Sequence, residues 1–146
     1  MSRKRFWWSV VAVWAVIAVT DWLFHGVWLQ PWYAETPQLW RTQEEMQGMM
    51  PWLWFGTAIY AWAFVWIYSK GISKDNQWIQ AFRYGLAILL VAKVPEQIGL
   101  WATAPYSTGL VWRWFLVASV QAFLAAFVMT WTFKPSEVWK ATRAKN

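Results

Sequence analysis

Four long apolar segments, separated by short polar turns, constrain this chain more than any other feature. They cover residues 6–29, 50–69, 78–101 and 110–133. Each is about twenty residues long, which as a helix crosses the roughly 30 Å of a bilayer's hydrocarbon. Hydrocarbon offers no hydrogen-bond partners, so a spanning segment must satisfy its own backbone, and an α-helix does so. The expected fold is therefore all-α: a four-helix transmembrane bundle, forming one integral membrane domain over 1–146. Composition agrees, with 59% hydrophobic and 14% charged residues, against about 25% charged in a soluble domain. The first segment is too long, and too polar at its far end, for a cleaved signal peptide, so it reads as a retained helix.

The net charge of +6 is unevenly placed. Arg3, Lys4 and Arg5 precede the first segment, and Lys70 and Lys74 lie between the second and third. Lys134, Lys140, Arg143 and Lys145 follow the fourth. The other side holds Arg41, with Arg113 near the start of the last segment. The positive-inside rule puts both termini in the cytoplasm. Basic charge so arranged is a topology signal and a headgroup contact, so the expected partner is the lipid bilayer and not nucleic acid.

The longer outer connection, QPWYAETPQLWRTQEEMQGM, carries a helix signal of its own. Thr36 can cap a helix that starts at Pro37, a favoured first position. Leu39, Met46, Met49 and Met50 then fall near one side, with Glu44 and Glu45 off it. The pattern predicts a short amphipathic outer helix over about 37–49, between the first and second spans. Most of the 17 Trp lie near span ends, as in an aromatic belt. Trp14, Trp62 and Trp66 fall mid-span, where they pack in the core, wall a hydrophobic ligand or cofactor, or form a surface that meets another membrane protein.

The polar residues within the spans are confined to one half. At about 1.5 Å per residue, Asp21 in the first helix and Lys93 in the third come to similar depths. His25 and Gln97 match one turn nearer the outer end, Glu96 lies close to that level, and Arg113 is at the outer mouth of the fourth helix. A lone charge in hydrocarbon is costly, so such groups face the bundle interior and pair. The depths predict an Asp21–Lys93 pair, with Glu96 meeting Arg113 or His25. Pro95 is expected to kink the third helix and free a carbonyl beside them. Gln121 and Thr57 read as isolated. Either the network only fixes helix register, or it lines a cavity open to the outer side that binds a polar or anionic group, or it passes protons or ions. A shift of 72 residues aligns Asp21 with Lys93, His25 with Gln97 and Trp40-Arg41 with Trp112-Arg113, a faint hint of duplication.

The chain has no Cys, which removes disulfides, thiolate metal sites and thiol nucleophiles. No Gly-rich phosphate loop, HExxH or GxSxG occurs. His25 with Glu44, Glu45, Met46, Met49 and Met50 is a weak copper set. His25 as an axial haem or pigment ligand lacks a second His. No metal site is expected and the cofactor is left unknown.

D-W-L-F-H-G from Asp21, Y-A-E-T-P-Q-L-W-R, E-E-M, K-G and the third-helix opening F-R-Y-G-L together resemble a family of small, uncharacterised bacterial integral membrane proteins. The resemblance implies a four-helix fold in the bacterial inner membrane and no established activity. It draws attention to Asp21, His25, Gly26, Trp40, Arg41, Glu45 and Met46. The expected function is a non-enzymatic multi-pass membrane protein. It would be an accessory subunit of a membrane complex, or a small-ligand binder using Asp21, His25, Lys93, Glu96, Gln97 and Arg113 walled by Trp. The outer-surface segment around Trp40, Arg41, Glu45 and Met46 would lie above that site. The alternative is a small proton-coupled transporter acting as an oligomer. Either way a homo-oligomer or a larger membrane complex is expected.

Overall fold

The computed structural model describes residues 3–71 and 76–133. Lys74, Lys134, Lys140, Arg143 and Lys145, on which the orientation signal largely rests, lie outside the described residues. Four helices are long and apolar enough to cross a membrane: Arg3–Trp28, Gln43–Lys70, Gln77–Thr103 and Thr108–Phe133. The first span is α1 (Arg3–Leu23) extended by a π-helical turn (Phe24–Trp28). It is followed by α2 (Gln30–Ala34) and a single 3-10 turn (Pro37–Leu39). The second span is α3 (Gln43–Lys70). The third joins α4 (Gln77–Ile88), a π-helical turn (Leu89–Lys93) and α5 (Val94–Thr103), and the fourth is α6 (Thr108–Phe133). Among the described residues there is no strand.

The helix expected over 37–49 does not form as one element. After its one 3-10 turn the chain is extended at Trp40, and the next helix starts at Gln43 and runs unbroken into the second span. The reason is local. Thr42 Oγ1 accepts from the Glu45 backbone N–H at 3.3 Å, and the Glu45 carboxylate accepts from the Thr42 N–H at 2.9 Å. This reciprocal capping box satisfies two backbone donors at once. The Thr36 hydroxyl makes no cap and instead accepts from Trp40 Nε1 at 3.2 Å. Elsewhere Asn76 caps α4 through the Trp78 N–H, and the Ser107 hydroxyl accepts from the Leu110 N–H at the start of α6.

Each π-helical turn runs up to a proline. Pro31 and Pro95 have no N–H to give and would crowd the preceding turn of a regular helix. Widening the helix by one residue absorbs the misfit. Leu29 N–H reaches back five residues to Phe24 O at 2.8 Å, which releases His25 O, and Gln30 Nε2 takes up that carbonyl at 3.0 Å. Pro95 thus acts on the third span through the turn that ends at Lys93. The two turns do not follow the 72-residue shift, which would carry 24–28 onto 96–100, a regular part of α5.

The first span packs between the second and the fourth, and the fourth packs against the third. At the end that holds both termini, Val13, Ala61, Val65, Ala126 and Met129 are fully buried. Tyr84 closes the ring there. Its ring stands edge-on to Phe64 at 4.8 Å and to Tyr68 at 5.3 Å, and its hydroxyl donates to Phe64 O. Small residues let α6 come close to its neighbours, as membrane helices require. A Cβ on Gly85 would stand 2.8 Å from the Phe123 ring and 3.4 Å from Ala122 O. The outside is apolar, with Val91 79% and Trp8 70% exposed. Water penalises a surface of that kind, whereas lipid does not.

Candidate polar cavity

The other end of the bundle carries the connections 29–42 and 104–107, and its interior is polar. A cavity of about 250 Å³ lies between the first, third and fourth spans. The first span contributes Asp21 and His25, and the third Lys93, Glu96 and Gln97. The fourth contributes Trp114 and Gln121 over a small apolar floor of Val117 and Ala118. Five of the six residues expected to cluster from their depths thus surround one space. The second span supplies no wall. Residues 41–56 are all exposed, so this half of α3 leans away from the others.

Arg113 is not part of that wall, contrary to expectation. Its guanidinium lies 4.2 Å from the Trp32 ring and donates to Gly109 O at 2.8 Å, one turn back on its own helix. An aromatic face at the helix mouth and the second lone pair of a first-turn carbonyl satisfy it without entering the interior.

The pairing also differs from the expectation. Lys93 is bound to Glu96 at 3.0 Å, one turn along its own span, with its ammonium 5.4 Å from the Tyr60 ring. Asp21 Oδ1 instead accepts from Gln121 Nε2 at 2.6 Å, and the same amide donates to Thr20 Oγ1 at 2.9 Å. Helical side chains lean towards the N-terminus of their helix. The first and third spans run the same way, so Asp21 and Lys93 lean in parallel. The fourth runs the opposite way, so Gln121 leans towards Asp21 across a depth difference that made it look isolated. Thr57 is likewise engaged, accepting from Trp14 Nε1 at 3.2 Å.

His25 is held by a relay. Trp114 Nε1 donates to the Tyr33 hydroxyl oxygen at 2.9 Å, and that hydroxyl lies 2.6 Å from His25 Nδ1, with the two rings parallel. Indole can only donate, so the Tyr33 oxygen accepts there and shares a second hydrogen bond with His25 Nδ1. Burial pushes the Tyr33 phenol above its usual range. The Trp114 hydrogen bond opposes that rise, and the Asp21 charge adds to it. Beside the relay, Trp40 stacks on Tyr106 at 5.6 Å, and both stand edge-on to Trp114, at 6.0 and 4.9 Å.

The mid-span tryptophans do not wall the cavity. Trp14 is tied to Thr57, while Trp62 and Trp66 stack on each other at 6.0 Å and face outward. Trp114 is the wall indole, and Trp40 backs it. Of the outer segment, Arg41 and Met46 are exposed, and Glu45 is used in the cap of α3. Among the described residues no group of three or more His, Asp or Glu comes together to hold a metal.

One buried polar atom is left over. Gln97 is 9% exposed, and its Oε1 has no hydrogen-bond partner. Leaving such an acceptor unmade costs about 1–3 kcal/mol. Comparison with protein-family models, with curated proteins and with solved structures finds no match.

Proposed function

We propose that this chain is a non-enzymatic multi-pass membrane protein that binds a small polar molecule in the cavity between its first, third and fourth spans. The observation that carries the reading is the convergence of Asp21, His25, Lys93, Glu96, Gln97 and Gln121 from three spans on one open space. A network that served only helix register would close on itself. This one surrounds about 250 Å³ and leaves an acceptor unused. The bilayer is the bacterial inner membrane, by the resemblance of D-W-L-F-H-G and W-R…E-E-M to the small four-helix family. Both termini are cytoplasmic by the positive-inside rule, which puts the cavity in the outer half. Assembly with a second copy or a larger membrane complex belongs to the same reading. Its support is the unbroken exposure of the apolar residues 49–55 of α3, a stretch that meets only lipid in a lone bundle.

As a transporter, the protein would need a route past Val13, Ala61, Val65, Ala126 and Met129, all fully buried beyond the cavity. Binding therefore fits the geometry better than passage.

The test is native mass spectrometry of protein released from its own membrane in mild detergent, wild type beside Asp21→Asn. A small molecule should accompany the wild type and be missing from the variant. A wild type that carries no molecule in fixed proportion, or a variant that retains the same molecule in full, would contradict the site.

A further inference from the structure

We infer that the molecule bound in this cavity presents a protonated amine. The inference rests on the cavity's being a ligand site and adds the ligand's chemistry. It follows from counting donors and acceptors around the space. The Gln121 amide spends its hydrogens on Thr20 and Asp21. The Trp114 indole N–H goes to Tyr33. The Lys93 ammonium is taken by Glu96 and by the Tyr60 face. Open donors remain on the Gln97 amide nitrogen, on the Lys93 ammonium beyond its bond to Glu96, and on the His25 ring.

Two acceptors stand out. Gln97 Oε1 is buried with no partner, and Asp21 is met by Gln121 alone among the described residues. The Glu96 carboxylate makes its ion pair through Oε2. The formal charges agree. Lys93 and Glu96 cancel, and with His25 counted as neutral Asp21 leaves the cavity at a formal minus one. A bound anion would be repelled by Asp21 and would leave Gln97 unsatisfied. An ammonium brings several N–H donors and a positive charge to the same point. The Gln97 amide nitrogen, the Lys93 ammonium and the His25 ring suit an oxygen acceptor adjoining the amine, as in an amino alcohol. The volume, about eight waters' worth at roughly 30 Å³ each, suits a headgroup-sized molecule. The amine can come from the water phase, or from a lipid entering on the side where the second span supplies no wall.

The experiment uses the full chain in phosphatidylcholine nanodiscs, with the side-chain amide resonances of Gln97 and Gln121 as reporters. Ethanolamine is titrated in, and in a second arm phosphatidylethanolamine replaces part of the bilayer. Choline, which has no N–H, is the matched control. Both Gln signals should move with the amine and hardly at all with choline. Asp21→Asn and Gln97→Leu should each weaken binding about tenfold or more. Gln97→Glu keeps the acceptor, adds charge and should tighten it, so the outcome does not hang on one variant. A response confined to phosphatidylethanolamine assigns the source to lipid, and a response to free ethanolamine assigns it to solution. Inorganic phosphate and acetate form the opposing arm. If they move the Gln signals and lose that effect in Lys93→Met, while amines do nothing, the amine assignment is overturned and the ligand cavity stands. If no probe of either charge moves them, both fall.

Discussion

The two ends of this bundle are built on opposite rules, and the fourth span takes part in both. At the termini end it presents Ala122, Ala125, Ala126 and Met129, all buried against the neighbouring spans. The polar groups there answer one another, Thr132 with Ser9 at 3.1 Å and Thr130 with Tyr68 at 3.1 Å. At the loop end the same helix presents Trp114 and Gln121, the facing spans present charges, and the second span leans away. In lipid, burying apolar surface brings little gain, because lipid is as apolar as the core. Close approach must then come from small side chains. Where bulk and charge replace them, helices stay apart and a cavity remains.

The largest expected effect falls at the packed end. Phe64→Ala should cost about 3 kcal/mol in reversible unfolding in detergent, since Phe64 is 2% exposed and touches Tyr60 and Tyr84. Val91→Ala, on the lipid face, should stay within about 0.5 kcal/mol. Equal losses at the two sites would erase the distinction between core and exterior. Next is Gly85→Ala, expected to cost about 2 kcal/mol through its clash with Phe123. Pairing it with Phe123→Ala should recover part of that loss, and strict additivity in the double-mutant cycle would count against the close contact.

A smaller loss is expected from Gln121→Leu, which strips Asp21 of its donor and should cost about 1.5 kcal/mol. Adding Asp21→Leu should restore stability, because the orphaned carboxylate is then gone. A double variant weaker than the single one would mean that Asp21 has another partner. The smallest effect is one of pH. Burial raises the Tyr33 phenol in the folded state, so its contribution to stability is complete below the ordinary phenol value of about 10. That contribution declines as pH rises through the folded value. Ultraviolet difference titration of the wild type against Tyr33→Phe should differ by one late-ionising tyrosine. An unchanged titration would remove the relay.

The spans were legible because their signal is long and repeated: about twenty apolar residues, four times over. The outer helix was less so. T-P-Q-L and T-Q-E-E compete within a few residues, and only the second closes a reciprocal cap. Asp21, His25, Lys93, Glu96 and Gln97 could be grouped from depth alone, because charge in hydrocarbon must turn inward. Their partners could not. Depth counted along Cα atoms ignores the lean of side chains, which brings Gln121 to Asp21 and leaves Lys93 to its own helix. Arg113 was misassigned for a related reason: the connection that carries Trp32 folds back to give it an aromatic face. Tyr33 and Trp114 were hidden by context. Aromatics near span ends are so common that nothing marks the two whose polar tips turn to His25.

The most direct measurement exploits the absence of cysteine from the chain. Ala118 borders the cavity and Ala126 lies in the packed end, at 6% and 0% exposure. By accessible surface they are nearly alike, so only the presence of a water-filled space separates them. Single variants Ala118→Cys and Ala126→Cys, in bilayer nanodiscs, are treated with a small water-soluble methanethiosulfonate. The account predicts ready modification at 118, slowed by a bound ligand, and none at 126 while the bundle is folded. Equal protection at both positions would contradict it, since the loop end would then be as dry as the other.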